Sequence, residues 1–266
     1  MNVLILAAGF GERFRQSIRQ RLATGSPQPE LTAMLKLPKG LQKIQGRPIL
    51  GWTLDLVQEI PGVDFAQNLF FVTNALYHSA FHGFLQSVGI TSRHILCDGA
   101  KDNQHRLGAI RDLELAIRHF GLQDDLLVVS SDNLFQFSLA DFVAGFHKVD
   151  GHYATGYAAS EGKGGIATVD ESRRITLFRE YPDRKPLEKG QLVIPTLYCF
   201  KQRVLSALGQ YLEQSGVNTD APGHFLIWLV QQQPVFVHDV PGLRFDIGNI
   251  DGLEEAERYF QPPESR

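Results

Sequence analysis

Short apolar runs alternate with longer amphipathic stretches through the first half of the chain. Val3–Leu6, Leu69–Thr73, His94–Cys97 and Leu126–Ser130 are dominated by consecutive apolar positions, the pattern of strands buried on both faces. Between them the spacing of large apolar residues predicts helices. One opens near Pro48, whose ring suits a first helical turn, and runs through Trp52, Leu56 and Val57. Others cover Tyr77–Gln86 and Leu107–His119. Strands alternating with helices at this spacing predict an α/β fold, with a mostly parallel central sheet between two helical layers.

The second half reads differently. Tyr153–Ala158, Gly165–Val169, Thr176–Glu180 and Leu192–Phe200 are strand-like and follow one another closely, with turn residues between them. Helices return at Arg203–Glu213 and Pro222–Gln232, followed by a strand at Val235–Asp239 and a last helix through Leu253, Ala256 and Tyr259. No fixed-period repeat and no Gly/Ser-rich linker interrupts the chain. The expectation is one domain over residues 1–266, an α/β core with a β-rich elaboration. Gln16–Lys36 stands apart: it carries Arg19 and Arg21, then Thr24-Gly25-Ser26-Pro27-Gln28-Pro29. It is expected to be a mobile loop with a short helix before or after the Pro/Gly part.

Composition adds exclusions. The 266 residues include 43% hydrophobic and 21% charged positions, which is enough apolar material for a large core. With 26 basic and 29 acidic side chains the net charge is −3, against a broad nucleic-acid footprint. No run approaches the ~20 apolar residues of a membrane span. The apolar Val3–Phe10 stretch lacks the basic flank of a signal peptide and reads as a buried strand, so the expected location is cytoplasmic. Cys97 and Cys199 stand in unrelated contexts, and no metal-binding Cys/His spacing occurs.

Candidate chemistry begins directly after the first strand, at Leu6-Ala7-Ala8-Gly9-Phe10-Gly11-Glu12-Arg13. Glycines on either side of one residue let a backbone approach phosphate and aim its N–H groups at it. By itself the segment reads equally well as a strand-to-loop turn. The dinucleotide fingerprint fails because Phe14 occupies its third glycine, and no Walker lysine follows. Arg13 offers a planar, bidentate phosphate donor. A second element, Pro38-Lys39-Gly40-Leu41 with Gly46-Arg47-Pro48-Ile49-Leu50, precedes the first long apolar helix.

Together these segments resemble the signature of the sugar-phosphate nucleotidyltransferases, the family that includes glucose-1-phosphate thymidylyltransferases. The resemblance implies a Rossmann-like three-layer sandwich whose β-rich part faces the sugar. It implies transfer of a nucleoside monophosphate from an NTP to a sugar 1-phosphate, with Mg²⁺, giving an NDP-sugar and pyrophosphate. Arg13 and Lys39 fall on the cations that grip the triphosphate, and Leu6, Ala7, Ala8, Gly9 and Gly11 on its loop. Asp132, in Ser131-Asp132-Asn133 after an apolar strand, and Asp246, in Phe245-Asp246-Ile247-Gly248, fall on the two metal aspartates. Either one alone also suits a turn or helix cap.

Further matches assign Asp98 and Gly108 to the nucleotide side, with His105 and Arg106 as nearby candidates for phosphate or base contact. Asn133, Gly165 and Glu180 fall on the sugar side, and Tyr181 stands where the family motif carries a lysine. The implied partners are an NTP and a phosphorylated small-molecule acceptor, with no nucleic acid and no membrane. The competing readings are a transferase acting on a polyol phosphate, a phosphonate or phosphocholine, and a nucleotide-sugar-binding regulator without turnover.

Overall fold

The structure, a computed structural model, describes residues 1–25, 28–240, 245 and 247–260. The chain begins with β1 (Asn2–Ala7), α1 (Glu12–Thr24) and α2 (Pro29–Met34), then a small hairpin, β2 (Lys43–Ile44) and β3 (Arg47–Pro48). Next come α3 (Ile49–Gln58), α4 (Phe65–Asn68), β4 (Leu69–Thr73), α5 (His78–Ser87), β5 (Ile95–Cys97), α6 (Ala109–Phe120), β6 (Leu126–Ser130) and α7 (Leu139–Phe146). The second half holds β7 (His152–Gly156), β8 (Glu161–Val169), β9 (Ile175–Pro186), β10 (Gln191–Ile194), β11 (Leu197–Phe200), α8 (Val204–Leu212), α9 (Pro222–Gln232), β12 (Val235–Asp239) and α10 (Ile250–Tyr259).

Seven strands form one sheet in the order β12-β7-β11-β6-β1-β4-β5. All neighbours are parallel except β11, which runs antiparallel to both β6 and β7. The apolar strands are apolar at successive positions because both faces are covered. In β6, Leu127 and Val129 enter one core with α3, α5 and α7, while Leu126 and Val128 enter another with α6, α8 and α9. This is the expected Rossmann-like α/β sandwich.

β10, β8 and β9 form a separate antiparallel sheet in that order. The stretch 192–200 is therefore two strands in two sheets, not the single strand its composition predicts. Pro195, which has no N–H to give a ladder, stands at the break. Thr196 follows it, and its carbonyl accepts from Asn133 Nδ2 at 3.1 Å. The handover places the small sheet beside the carboxyl end of β6.

Gln16–Lys36 carries helix on both sides of its Pro/Gly part, as α1 before it and α2 after it. Phe14 and Ile18 of α1 and Leu31 of α2 are buried with Leu253 and Ala256 of α10 in a third cluster. Arg21 pairs with Asp251 and Glu254 on α10. Apolar residues at helical spacing thus win over the polar loop chemistry that surrounds them. Ser26 and Pro27, from that loop, lie outside the described residues.

Candidate active site

The order of strands sets the location of the site. From β1 the chain moves outward to β4 and β5, then returns to place β6 on the other side of β1. Between β1 and β6 the connections diverge, and open α/β sheets bind ligands in that crevice, outside the carboxyl ends of the strands. The segment Leu6–Gly11 leaves β1 there, and Ser131–Asn133 leave β6. Ser131 N–H donates to the Leu6 carbonyl at 2.9 Å, tying the two exits together.

The loop after β1 is held from below. Asn74, fully buried after β4, donates from Nδ2 to the Ala8 carbonyl at 2.9 Å and accepts the Tyr77 N–H at 2.9 Å. Arg15 Nη1 donates to the Tyr77 hydroxyl at 2.7 Å, while Arg15 Nε is buried without a hydrogen-bond partner among the described residues. Asn74, Tyr77 and Arg15 thus form a support that sequence reasoning missed, because nothing in their spacing ties them to the loop. Gly11 has φ +64°, a left-handed turn that starts α1 and leaves Gly9 exposed. Arg13, in the first turn of α1, is exposed with no ion pair among the described residues.

Lys39 and Asp132 meet at this loop. Lys39 Nζ lies 2.5 Å from Asp132 Oδ2, and Ser130 Oγ donates to Asp132 Oδ1. A Cβ on Gly11 would stand 3.8 Å from Lys39 Cβ, so the glycine loop and the lysine share one wall. Both charged side chains remain partly exposed, at 18% and 30%, so a ligand can reach them.

Asp246 lies outside the described residues. Phe245, just before it, bridges Leu134, two residues past Asp132. Among the described residues no three His, Cys, Asp or Glu side chains gather as a metal cage. The donor chemistry still suits Mg²⁺, which takes one or two carboxylates and completes its shell with phosphate oxygens and water. Asp132 is such a hard oxygen donor, and its present charge partner is a flexible lysine.

In the small sheet, Glu180 of β9 turns toward the start of α9. A Cβ on Gly223 would fall 1.5 Å from Glu180 Oε1, and one on Gly164 would fall 3.9 Å from Oε2. Burial pushes the Glu180 carboxyl up to about 7. Gly165 pairs with Glu180 across the strands, and its missing side chain makes room for the Phe178 ring, 2.6 Å from a Cβ there. Tyr181 points to the opposite face of β9 from Glu180, as successive strand residues must. Lys185 Nζ sits 4.4 Å from the Tyr181 ring centre, and hydrogen bonding to Arg179, then Lys185, holds the phenol below its usual range. The buried side chain of Asn133 is engaged with Thr196, and its carbonyl accepts from Thr53 Oγ1 at 3.2 Å.

Asp98 and Gly108 lie on the β5 side. Asp98 follows β5, and its Oδ1 accepts the Ala100 N–H at 2.7 Å. Ala75 N–H donates to the Ala100 carbonyl at 2.8 Å, next to Asn74, which links this turn to the loop after β1. A Cβ on Gly108 would meet the Thr219 carbonyl at 2.4 Å, so the glycine admits the 217–220 segment. Arg106 forms a two-pronged pair with Asp220 at 2.6 and 3.0 Å, and His105 bonds Asp102 at 2.8 Å. Both candidates thus brace the loop locally, and both side chains remain exposed.

A family model described as nucleotidyl transferase matches residues 70–261. It begins beyond the glycine loop and Lys39, which the fold brings back beside the matched region through β1. The structure is similar to that of a Bacillus anthracis protein assigned as a glucose-1-phosphate thymidylyltransferase and crystallised with sucrose. That likeness has 18% identity and a TM-score of 0.72 over 97% of this chain and 94% of the other. It is also similar to CTP:phosphocholine cytidylyltransferase from Streptococcus pneumoniae, with 13% identity and a TM-score of 0.69 over 97% of each chain. At such identities the two structures share a fold with this one. No curated protein matches the chain by sequence. Among the described residues no helix is long and apolar enough to cross a membrane.

Proposed function

The chain belongs to the nucleotidyl transferase family and is an enzyme acting on phosphorylated substrates, and we propose that it moves a nucleoside monophosphate from an NTP to a sugar 1-phosphate with Mg²⁺, releasing pyrophosphate and an NDP-sugar. The observation that carries this reading is the Lys39–Asp132 pair beside the Gly9–Gly11 loop at the β1/β6 crevice. A glycine loop, a cation and a hard carboxylate at one strand junction are what a triphosphate needs for grip and charge balance.

An oxygen of the acceptor phosphate attacks the α-phosphorus in line, a new P–O bond forms, and the bond to the leaving pyrophosphate breaks. No protein nucleophile is needed. The N–H groups of Gly9–Gly11 hold phosphate oxygens, and Arg13 and Lys39 neutralise the charge that develops on pyrophosphate. Arg13 is exposed and able to close on the ligand, whereas Lys39 exchanges its carboxylate partner for phosphate. Asp132, with Asp246, would hold Mg²⁺, which when bound draws the reacting phosphates together and offsets their charge. Glu180 orients acceptor hydroxyls, and this half-buried carboxylate is what favours a sugar over a simpler acceptor. Lining roles for Asn133 and Gly165 would be indirect, through Thr196 and Phe178.

Pyrophosphate release with Mg²⁺, measured for NTPs crossed with sugar 1-phosphates, polyol phosphates, phosphonates and phosphocholine, tests the proposal. A signal on a sugar 1-phosphate supports it, and a signal only on another acceptor moves the assignment to that acceptor. Triphosphate binding without pyrophosphate release from any pair would leave a binding regulator.

A further inference from the structure

One peptide of the loop after β1 is held by a buried amide that has no contact of its own with the open crevice. Asn74, just past β4, is fully buried. Its Oδ1 accepts the Tyr77 N–H at 2.9 Å, and its Nδ2 donates to the Ala8 carbonyl at 2.9 Å. A backbone N–H can only donate and a carbonyl can only accept, so the side chain between them needs one acceptor end and one donor end. An amide supplies both, and these two partners set which way round it lies. An ionised carboxylate of the same shape would put oxygen against oxygen at Ala8. Leucine would leave both backbone groups without their partner.

The Ala8–Gly9 peptide is planar and trans, so its N–H points away from its carbonyl. With the Ala8 carbonyl drawn inward to Asn74, the Gly9 N–H is turned to the exposed side of the loop. That N–H has no hydrogen-bond partner among the described residues, and neither have those of Phe10 and Gly11. A Cβ on Gly9 would meet nothing within 4 Å, so the space beside it is open. The far end of the loop is tied as well. The Gly11 carbonyl accepts the Arg15 N–H at 2.9 Å, and Arg15 Nη1 returns to the Tyr77 hydroxyl at 2.7 Å. Ala8, Asn74, Tyr77, Arg15 and Gly11 thus close a ring beneath Gly9 and Phe10. Consecutive N–H groups in a loop pinned at both ends suit an anion.

We propose that Asn74 is a positioning residue for nucleotidyl transfer: through the Ala8–Gly9 peptide it aims the Gly9 N–H at a phosphate oxygen of the triphosphate. Tyr77 and Arg15 keep it in register. The inference rests on the transferase reading above and deepens it. Without the amide the peptide is free to rotate, and a carbonyl turned outward would face phosphate where the N–H should. Because the ring is closed before the ligand arrives, the triphosphate does not have to order the loop it binds.

The test reads that N–H directly. The full chain carrying ¹⁵N only in its 25 glycines gives a spectrum in which Gly9 can be followed, identified by the peak that Gly9→Ala removes. The Mg²⁺ complexes of GTP, ATP, CTP, UTP and dTTP are titrated by calorimetry, and the tightest binder is carried forward. At saturation the Gly9 amide proton of the wild type should move downfield, as an N–H bonded to phosphate does. Asn74→Leu should bind the same triphosphate about tenfold or more weakly, the loss of one charge-assisted hydrogen bond. Its Gly9 proton should not move downfield even at saturation. A role in packing alone would lower affinity or Tm and leave that shift intact.

Circular dichroism establishes that each variant is folded. If Asn74→Leu unfolds, Asn74→Ala, which removes the amide without adding bulk, takes its place. A Gly9 proton that stays put in the saturated wild type, or that moves equally in a folded Asn74 variant, overturns this inference and leaves the transferase reading standing on the bound triphosphate. Failure of the wild type to bind any of the five overturns both.

Discussion

Glu180 occupies the space that a side chain at position 223 would need, with its Oε1 only 1.5 Å from where a Gly223 Cβ would fall. This carboxylate on the small sheet and the start of α9 are therefore fitted closely to each other.

Gly223→Ala should displace Glu180 by more than the atom added. The expected result is a rise in acceptor KM of about tenfold or more with the NTP KM little changed, since misplacing a binding group by ~1 Å can cost up to 10²-fold. Steady-state kinetics with each substrate varied in turn checks it, and equal effects on both KM values would contradict the separation of the two sides.

Burial holds the Glu180 carboxyl near 7, so it is largely neutral at pH 6 and ionised at pH 8. Ionised, it accepts two hydroxyl donors; protonated, it spends one oxygen as a donor. The specificity constant for the acceptor should rise as pH passes through about 7, and Glu180→Gln should lack this step. A pH profile in which wild type and variant rise together would place the titrating group elsewhere.

Asp132→Ala and Lys39→Met should each lower turnover by about 10²–10³-fold, the usual loss of one electrostatic stabiliser. Removing Asp132 also leaves Lys39 without its 2.5 Å partner. Partly exposed pairs add little to stability, so Tm should move by only a few degrees, on the order of 1 kcal/mol. Pyrophosphate release rates beside thermal melts separate the two effects.

Asp112 of α6 is buried, and this makes stability depend on pH. Burial raises its carboxyl to about 8, above the unfolded carboxylate value, so the folded chain binds the extra proton. This contribution is complete below the unfolded pKa of about 4 and declines as pH rises through the folded value. Asp112→Asn should flatten this slope between pH 5 and about 8 and raise Tm at the upper end. Urea melts across that range measure it, and parallel curves for the two proteins would show that the proton is not taken up at Asp112.

The central sheet was legible because burial on both faces writes itself as consecutive apolar residues, as in Leu126–Ser130. Lys39 and Asp132 were legible through their resemblance to a family signature, and the fold brings them together. What lay beyond the sequence was tertiary. Nothing local says that Pro195 divides two sheets, that the arginine-rich Gln16–Lys36 stretch finds its partner in α10, or that Asp112 turns inward from α6. Gly165 illustrates the converse: its position was marked, but its reason is the ring of Phe178.

The two-residue passage from β10 to β11 has a consequence for how this scaffold can vary. Thr196 is pinned to Asn133, buried beneath the exit of β6, and Tyr157 and Val193 exchange backbone hydrogen bonds between the two sheets at 3.1 and 3.0 Å. Ala167 of β8 and Ile175 and Phe178 of β9 share one core with Leu4 of β1 and Val128 of β6. The small sheet is therefore built into the body that carries the loop after β1: its outward residues are free to vary, whereas an exchange of residues 161–194 between relatives has to bring matching residues on the facing side of the large sheet.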